Sequence, residues 1–365
     1  MKFTLKAILK TLTPMHITTA GDHRFDASTG YVETGSSKGT SKTPCTAIQR
    51  MNVIGENYPV PVIPANNIAG RLRRHAAELI LKAVVAKGGK VSLQAYSSLM
   101  CGAVGSAPDS RDLTYAEYKK SAEHVYLGLF GGGPRMLPRK VRVLNALPLR
   151  DGVLSALESQ MHPSARSHVQ NFPIAMGWTS RRNDDLMELI NAPLQEKSIN
   201  NYVEEIQRRQ STILEEKTKG RSGTSTFSFS AIEFVVPGAL FNFGFELDVA
   251  NNAQVGLFLM SLDSFVKKER IGGKSVNGFG AFTLKEVILT DEIDNEITDV
   301  FVNGRLNQQC AAVKPYLTAW ADAVGDIDVI SIEEMMTMPA DAPLSKKAKA
   351  AKEAADAAET LEEAA

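Results

Sequence analysis

Between residues 254 and 289 the hydrophobic period changes from helix to strand across one glycine-rich turn, and few folds accommodate that change. Residues 254–269 carry apolar side chains at helical spacing and residues 281–289 alternate. Between them lies Arg270-Ile271-Gly272-Gly273-Lys274-Ser275-Val276-Asn277-Gly278-Phe279-Gly280. Glycine admits positive φ and lets backbone amides approach an anion, and Arg270 and Lys274 add charge. A Walker A loop is excluded, because it runs strand–loop–helix and would need glycine where Lys268 stands. Asn277-Gly278-Phe279-Gly280-Ala281-Phe282 echoes the aromatic motif of RNA-binding sheets. The stretch reads either as a clamp on a nucleic-acid backbone or as a turn with incidental charge.

The remaining periodic segments place this unit in a larger pattern. Phe3, Leu5, Ala7 and Leu9 alternate with Lys2, Thr4, Lys6 and Lys10, a half-buried strand ended by Pro14. Pro64-Ala65-Asn66-Asn67 opens a helix, with Asn66 or Asn67 the expected N-cap and Ile68, Leu72, Ala76, Leu79, Ile80, Ala83 and Val84 its apolar stripe. Arg71, Arg73 and Arg74 crowd its first turns, where cations oppose the helix dipole; a bound anion would relieve that cost. The alternative is a solvated face. Arg139-Lys140-Val141-Arg142-Val143 predicts a strand with one basic face, and residues 240–247 predict another core strand. The order β…α…β…β-α-β predicts an α+β fold, a ferredoxin-like palm with large insertions. Residues 19–50 are too long and polar for a plain connection. Residues 88–128 read as helical, 160–185 as loop, 202–217 as a polar helix and 217–223 as a basic tip.

Charge is distributed unevenly. Of 41 basic and 41 acidic residues, six and sixteen fall in 291–365, a net of −10 there against +10 in residues 1–290. A basic body with an acidic end fits a polyanionic ligand. The three cysteines have neither metal nor disulfide spacing, which predicts a reducing, cytoplasmic setting. The histidines never form H-x-x-x-H; His162 and His168 are expected at the surface or near RNA, with no metal. No apolar run is long enough for a membrane span, and no secretory h-region is seen.

Four segments resemble one family. Pro64-Ala65-Asn66-Asn67-Ile68-Ala69-Gly70-Arg71-Leu72-Arg73 is similar to the RAMP signature P-G-S-S-L-K-G-x-L-R. Residues 9–20 resemble the family's first strand and its exit, with His16 at a structural histidine. Residues 233–241 resemble "E-x-V-P-A-G-x-x-F", and residues 270–280 resemble the loop before the last strand. Within the family the chain is most similar to CRISPR effector backbone subunits, the "Cas seven" class, and first to those of type IV. The resemblance implies an RNA-recognition-type palm over residues 1–290, with fingers near 88–200 and a thumb near 205–230. Charge and composition, not the resemblance, add an acidic extension over 291–337 that packs on or near the palm, and a tail over 338–365 that is disordered or a loose helix. The implied partners are CRISPR RNA, target DNA or RNA paired to it, further copies of the chain, other effector subunits and an accessory helicase; no cofactor is implied. The implied RNA contacts are Asn66, Asn67 and Arg73 on the first helix and Arg270, Gly272, Gly273 and Lys274 on the loop. Charge and position add Arg71 and Arg74. In the thumb, Lys219 and Arg221 would meet phosphates, and Phe227 or Phe229 would either wedge into a kinked strand or sit in strand core. Type III backbones cut target RNA with a loop aspartate, for which Asp22 and Asp26 are the candidates. Their loop matches that pattern poorly, so the expectation is a binding protein without nuclease activity. A processing ribonuclease with a histidine base is the third reading. Residues beyond 338 have too few apolar anchors to offset the entropy of ordering. Truncation after Ala340 should leave the thermal midpoint essentially unchanged; a drop of several degrees in calorimetry would mean that the tail docks on the body.

Overall fold

The structure is a computed structural model that describes residues 2–18, 23–25, 32–34, 46–53, 56–102, 114–134, 136–182, 204, 208, 228–268 and 270–337. Phe3–Thr11 is the inner strand of an antiparallel sheet ordered Glu296–Ile297, Phe282–Thr290, Phe3–Thr11, Leu240–Leu247, Val141–Val143, with Leu147–Pro148 also paired to Leu240–Leu247. Taken in chain order, its four main strands lie fourth, first, third, second. The crossovers hold the helices Ala65–Ala86 and Asn252–Lys268, which pack against each other. This is the β-α-β-β-α-β arrangement expected from the sequence, and the fold is α+β.

Strand alternation builds the core. Phe3, Leu5, Ala7 and Leu9 on one strand and Phe241, Phe243, Phe245 and Leu247 on the next are buried toward the helices. Phe245 meets Phe258 edge-on at 5.1 Å between ring centroids, and Phe265 meets Phe282 at 5.1 Å. Each such side chain contributes about 1.5–3 kcal/mol by burial. The first helix departs from its expected cap. Pro64 is the N-cap residue, without a side-chain bond, and the Ala65 amide donates to Oδ1 of Asn145 at 2.8 Å. Asn66 and Asn67 therefore lie inside the first turn. The expected basic strand face is also largely neutralised: Lys140 donates to the Ala122 carbonyl and Gln254 Oε1, while Arg142 pairs with Glu246 and Asp248.

The opposite face of the sheet is roofed by residues 151–170. Lys6 Nζ donates to the carbonyls of Ser159 and Met161 at 3.2 and 3.1 Å, and Asn242 Oδ1 accepts the His162 amide at 2.8 Å. Ser164 Oγ and His168 Nε2 both reach the Glu286 carboxylate, the latter at 2.5 Å. Those bonds hold the Glu286 carboxyl below its usual range, Ser164 being the largest cause. Glu286 has φ of +48° at a bulge where the pairing register shifts between Lys6 and Ile8. His162 is buried and His168 partly so, which departs from the surface position, one of the two expected of them. Both are drawn in by partners that lie far away in sequence.

Outside the palm, Ala175–Arg182 pairs with Ser228–Val235 as a two-stranded ribbon. The first of these strands reads as loop in the sequence, because Thr179, Ser180, Arg181 and Arg182 break apolar alternation. Shorter hairpins join His23–Phe25 to Val32–Thr34 and Ile48–Val53 to Glu56–Pro61. Lys314–Gly325 packs on Asn252–Lys268 at Gly256, where an added Cβ would collide with the Tyr316 carbonyl oxygen and come within 2.7 Å of Trp320 Cβ. Val329–Met336 packs on Leu93–Cys101, with Ser98 Oγ donating to the Met336 carbonyl at 2.7 Å. Gly256→Ala should destabilise the protein by about 1–3 kcal/mol through this overpacking, read as a lower midpoint in urea with an unchanged slope.

His124 supplies a pH signature. Its Nδ1 accepts the amides of Tyr126 and Leu127 at 3.1 Å each, so that nitrogen must be unprotonated. Burial pushes its pKa down to about 4, outweighing the attraction of Asp328. Between that value and its ordinary one near 6.5 the unfolded chain binds the extra proton, so stability falls on acidification across this window. His124→Gln should flatten the loss, on the order of 1–3 kcal/mol, in denaturant titrations at successive pH.

Candidate nucleic-acid interface

The glycine loop is anchored on two sides. Gly273 N–H donates to the His16 carbonyl and Gly280 N–H to the Pro14 carbonyl, both at 2.8 Å, and Ile271 N–H closes on the Gly280 carbonyl at 2.9 Å. Gly272 has φ of +91°, and a Cβ there would collide with the His16 carbonyl oxygen, so this approach requires glycine. From the other side, Arg71 donates Nη1 to the Arg270 carbonyl at 2.7 Å, Nη2 to the Gly272 carbonyl at 3.1 Å and Nε to Asn67 Oδ1 at 3.2 Å. Arg71 thus straps the loop to the first helix. Arg270 folds over the loop, its Nη1 donating to the Gly278 carbonyl at 2.8 Å.

The loop leaves a set of backbone donors unused. The amides of Gly272, Lys274, Ser275 and Val276 have no acceptor among the described residues, and residues 273–278 are exposed. Lys274 itself is left-handed, with φ of +57°. Successive amides in such a conformation form an anion-binding concavity. Beside the loop the first helix carries an exposed stripe, Asn66, Gly70 and Arg74, at i, i+4, i+8. Beyond that stripe lies an open cavity of about 210 Å³ lined in part by Asn66, Gly70, Arg73, Cys101 and Arg139. A track of donors therefore crosses the first turns of the helix, from the loop to this cavity.

Arg73 is placed differently from its neighbours. Its Nη2 and Nη1 donate to the carbonyls of Phe130 and Gly131 at 2.6 and 3.0 Å, and Gly102 and Gly132, both at positive φ, leave room for its guanidinium. Burial lowers its pKa. The glycine run after Phe130 is thus the seat of Arg73, a role the sequence did not disclose. His16 is also enclosed. Its Nδ1 lies 2.6 Å from the Glu233 carbonyl, so it carries the proton, and Nε2 accepts from Thr18 Oγ1 at 3.1 Å. Burial is the main cause of its lowered pKa. Both ring nitrogens are thus engaged within the fold. Phe279 and Phe282 of the expected aromatic motif are buried, against Phe234 and Phe265 respectively. Lys219, Arg221, Phe227, Asp22 and Asp26 lie outside the described residues; Phe229 pairs with Arg181 in the ribbon. Among the described residues no three histidine, cysteine or acidic side chains come together as a metal site, and no helix is long and apolar enough to cross a membrane.

The sequence profile of the RAMP superfamily matches residues 8–283, a span running from within the first strand to the start of Phe282–Thr290. The chain belongs to the RAMP superfamily. No curated protein sequence matches it. Among solved structures it is similar to a chain of "Type IV-B CRISPR Complex", at 16% identity and a TM-score of 0.46, covering 84% of this chain and 98% of that one. It is also similar to a chain of "Cryo-EM structure of the Type III-B Cmr-beta bound to cognate target RNA", at 10% identity and a TM-score of 0.34, covering 79% of this chain and 60% of that one. At these values neither likeness carries an argument about function. For this RAMP protein the strap gives a direct test. Arg71→Gln should leave the global unfolding midpoint nearly unchanged, yet speed amide hydrogen exchange across residues 271–280 at least severalfold.

Proposed function

We propose that the chain is a CRISPR effector subunit that binds the guide RNA along its phosphates and, with further copies of itself and other subunits, presents it for pairing with target nucleic acid. The observation that carries this reading is the donor track: loop amides without an acceptor among the described residues and Lys274, then Asn66 and Arg74 on the exposed helix stripe, then Arg139 at the cavity. Amides and cations of this kind recognise a phosphate backbone without reading its sequence, as a protein carrying arbitrary guides requires. Arg71 and Arg73 belong to the same reading as the groups that hold the track in shape. Membership of the RAMP superfamily supports it, as does the excess of positive charge in residues 1–290. The subunit binds and does not cut, and neither Asp22 nor Asp26 is catalytic.

Lys274→Ala and Arg74→Ala should each weaken binding of single-stranded RNA alike for all sequences. Each should also lower the salt slope by about 0.7 for every phosphate that is no longer neutralised, read by fluorescence anisotropy at several salt concentrations. Unchanged binding, or a defect for one sequence alone, would count against the reading. Complementary labelled RNA added to the assembled protein with a divalent cation should stay intact on a gel. A cleavage ladder abolished by Asp22→Ala or Asp26→Ala would replace the binding role with a nuclease.

A further inference from the structure

The segment 143–145 separates two concavities. Val143 lines the cavity that ends the donor track, whereas Leu144 and Asn145 line a second one of about 230 Å³. The second is chemically unlike the first. Its polar groups are the carboxamides of Gln49, Asn145, Gln160 and Asn242, its apolar wall includes Leu157 and Met161, and no ionisable side chain lines it. A phosphate has no cation to meet there. Two of the carboxamides are committed to the fold: Asn145 Oδ1 takes the Ala65 amide and its Nδ2 donates to Gln49 Oε1 at 3.0 Å, while Asn242 Oδ1 takes the His162 amide. Two retain capacity. Gln49 is pinned through its oxygen and keeps its amino group, and the exposed Gln160 side chain has no hydrogen-bond partner among the described residues.

We propose that this cleft receives one unstacked nucleobase of the bound strand, with Gln49 donating to the base edge, Gln160 completing the pairing and Leu157 and Met161 contacting the ring. The proposal rests on the RNA-binding reading above. Planar carboxamides match the donor and acceptor edges of bases, and single-stranded RNA is recognised through bases splayed out of the stack. The position fits as well. Asn145 caps the helix at Ala65, and Arg71, six residues and about 9 Å further along the helix axis, straps the loop. The cleft is tolerant of base identity. Every base offers an acceptor to the Gln49 amino group, and the unpinned Gln160 amide can turn either its oxygen or its nitrogen inward.

The test uses the full-length protein and a series of RNA oligonucleotides carrying 2-aminopurine at successive positions. The cleft holds no aromatic ring, so 2-aminopurine seated in it is unstacked and unquenched. The expected result is a fluorescence rise at a restricted set of positions. Gln49→Leu combined with Gln160→Leu should abolish the rise and weaken binding about tenfold, the size of one good base interaction. Leu157→Trp, which fills the cleft without removing a polar group, should also abolish it. If RNA binds tightly and no position brightens, or the rise survives both variants, the cleft is not a base site and the RNA-binding reading stands. If the variants lose a protein partner while RNA binding and fluorescence are unchanged, a polypeptide occupies the cleft and the proposal is overturned. If the unaltered protein binds no RNA, both readings fall.

Discussion

The backbone of the first strand is the constraint on which the rest depends. Phe3–Thr11 is paired on both edges, to Leu240–Leu247 and to Phe282–Thr290, so its buried amides and carbonyls are satisfied only by segments more than two hundred residues away. Leaving one such group unpaired costs about 1–3 kcal/mol, and the strand therefore holds both later strands in register. The dependence continues past its end. Met15 and Val235 exchange both backbone bonds, at 2.9 and 2.7 Å, and the next residue, His16, accepts from Gly273. The glycine loop sits where the exit of the first strand puts it, and Arg71 fastens it to the helix that follows. A fold closed by such distant pairings has high contact order, and its sheet is complete only when nearly the whole of residues 1–290 is in place.

How much of this is legible in the sequence follows from which residues speak locally. Alternation at Phe3–Leu9 and Phe241–Leu247, and helical spacing at Ile68–Val84 and in Asn252–Lys268, report a buried face through period alone. The palm is readable for that reason. The glycine loop is readable as a special turn because four glycines in nine residues have no other common cause. The N-cap is not, because the group that caps Ala65 is Asn145, eighty residues on, and no local pattern encodes it. Ala175–Arg182 escapes detection because its partner strand, rather than its own composition, makes it a strand. His162 and His168 look like surface residues in a polar segment, whereas Asn242 and Glu286 draw that segment onto the sheet.

The three arginines of the first helix show the same limit in one short stretch. Arg71, Arg73 and Arg74 are alike in sequence, and the helix turns them to three environments: one straps a loop, one fills a glycine-lined seat, one faces solvent. Their number reports the charge of the region correctly. Their division between holding the site and forming it is a matter of the 100° step between successive residues and of which carbonyls lie within reach. Glycines are the complementary signal. Gly102 and Gly132 mark the space a guanidinium fills, much as Gly272 marks the approach of a carbonyl.

The roof over the outer face of the sheet has a consequence for how this RAMP protein can meet a polymer. Sheets that read single strands do so as an open table, with aromatic rings set out for bases to lie on. Here the table is covered by residues 151–170, its legs are Lys6, Asn242 and Glu286, and the rings of the nearest candidate motif are buried elsewhere, Phe279 against Phe234 and Phe282 against Phe265. A strand cannot be laid across the sheet. On the RNA-binding role proposed above, the strand would run along the rim, where helix end, glycine loop and insertion edges meet, and a rim is a one-dimensional guide. In that role such a geometry would set direction and spacing, and leave the choice of letters to whatever pairs with the strand from outside.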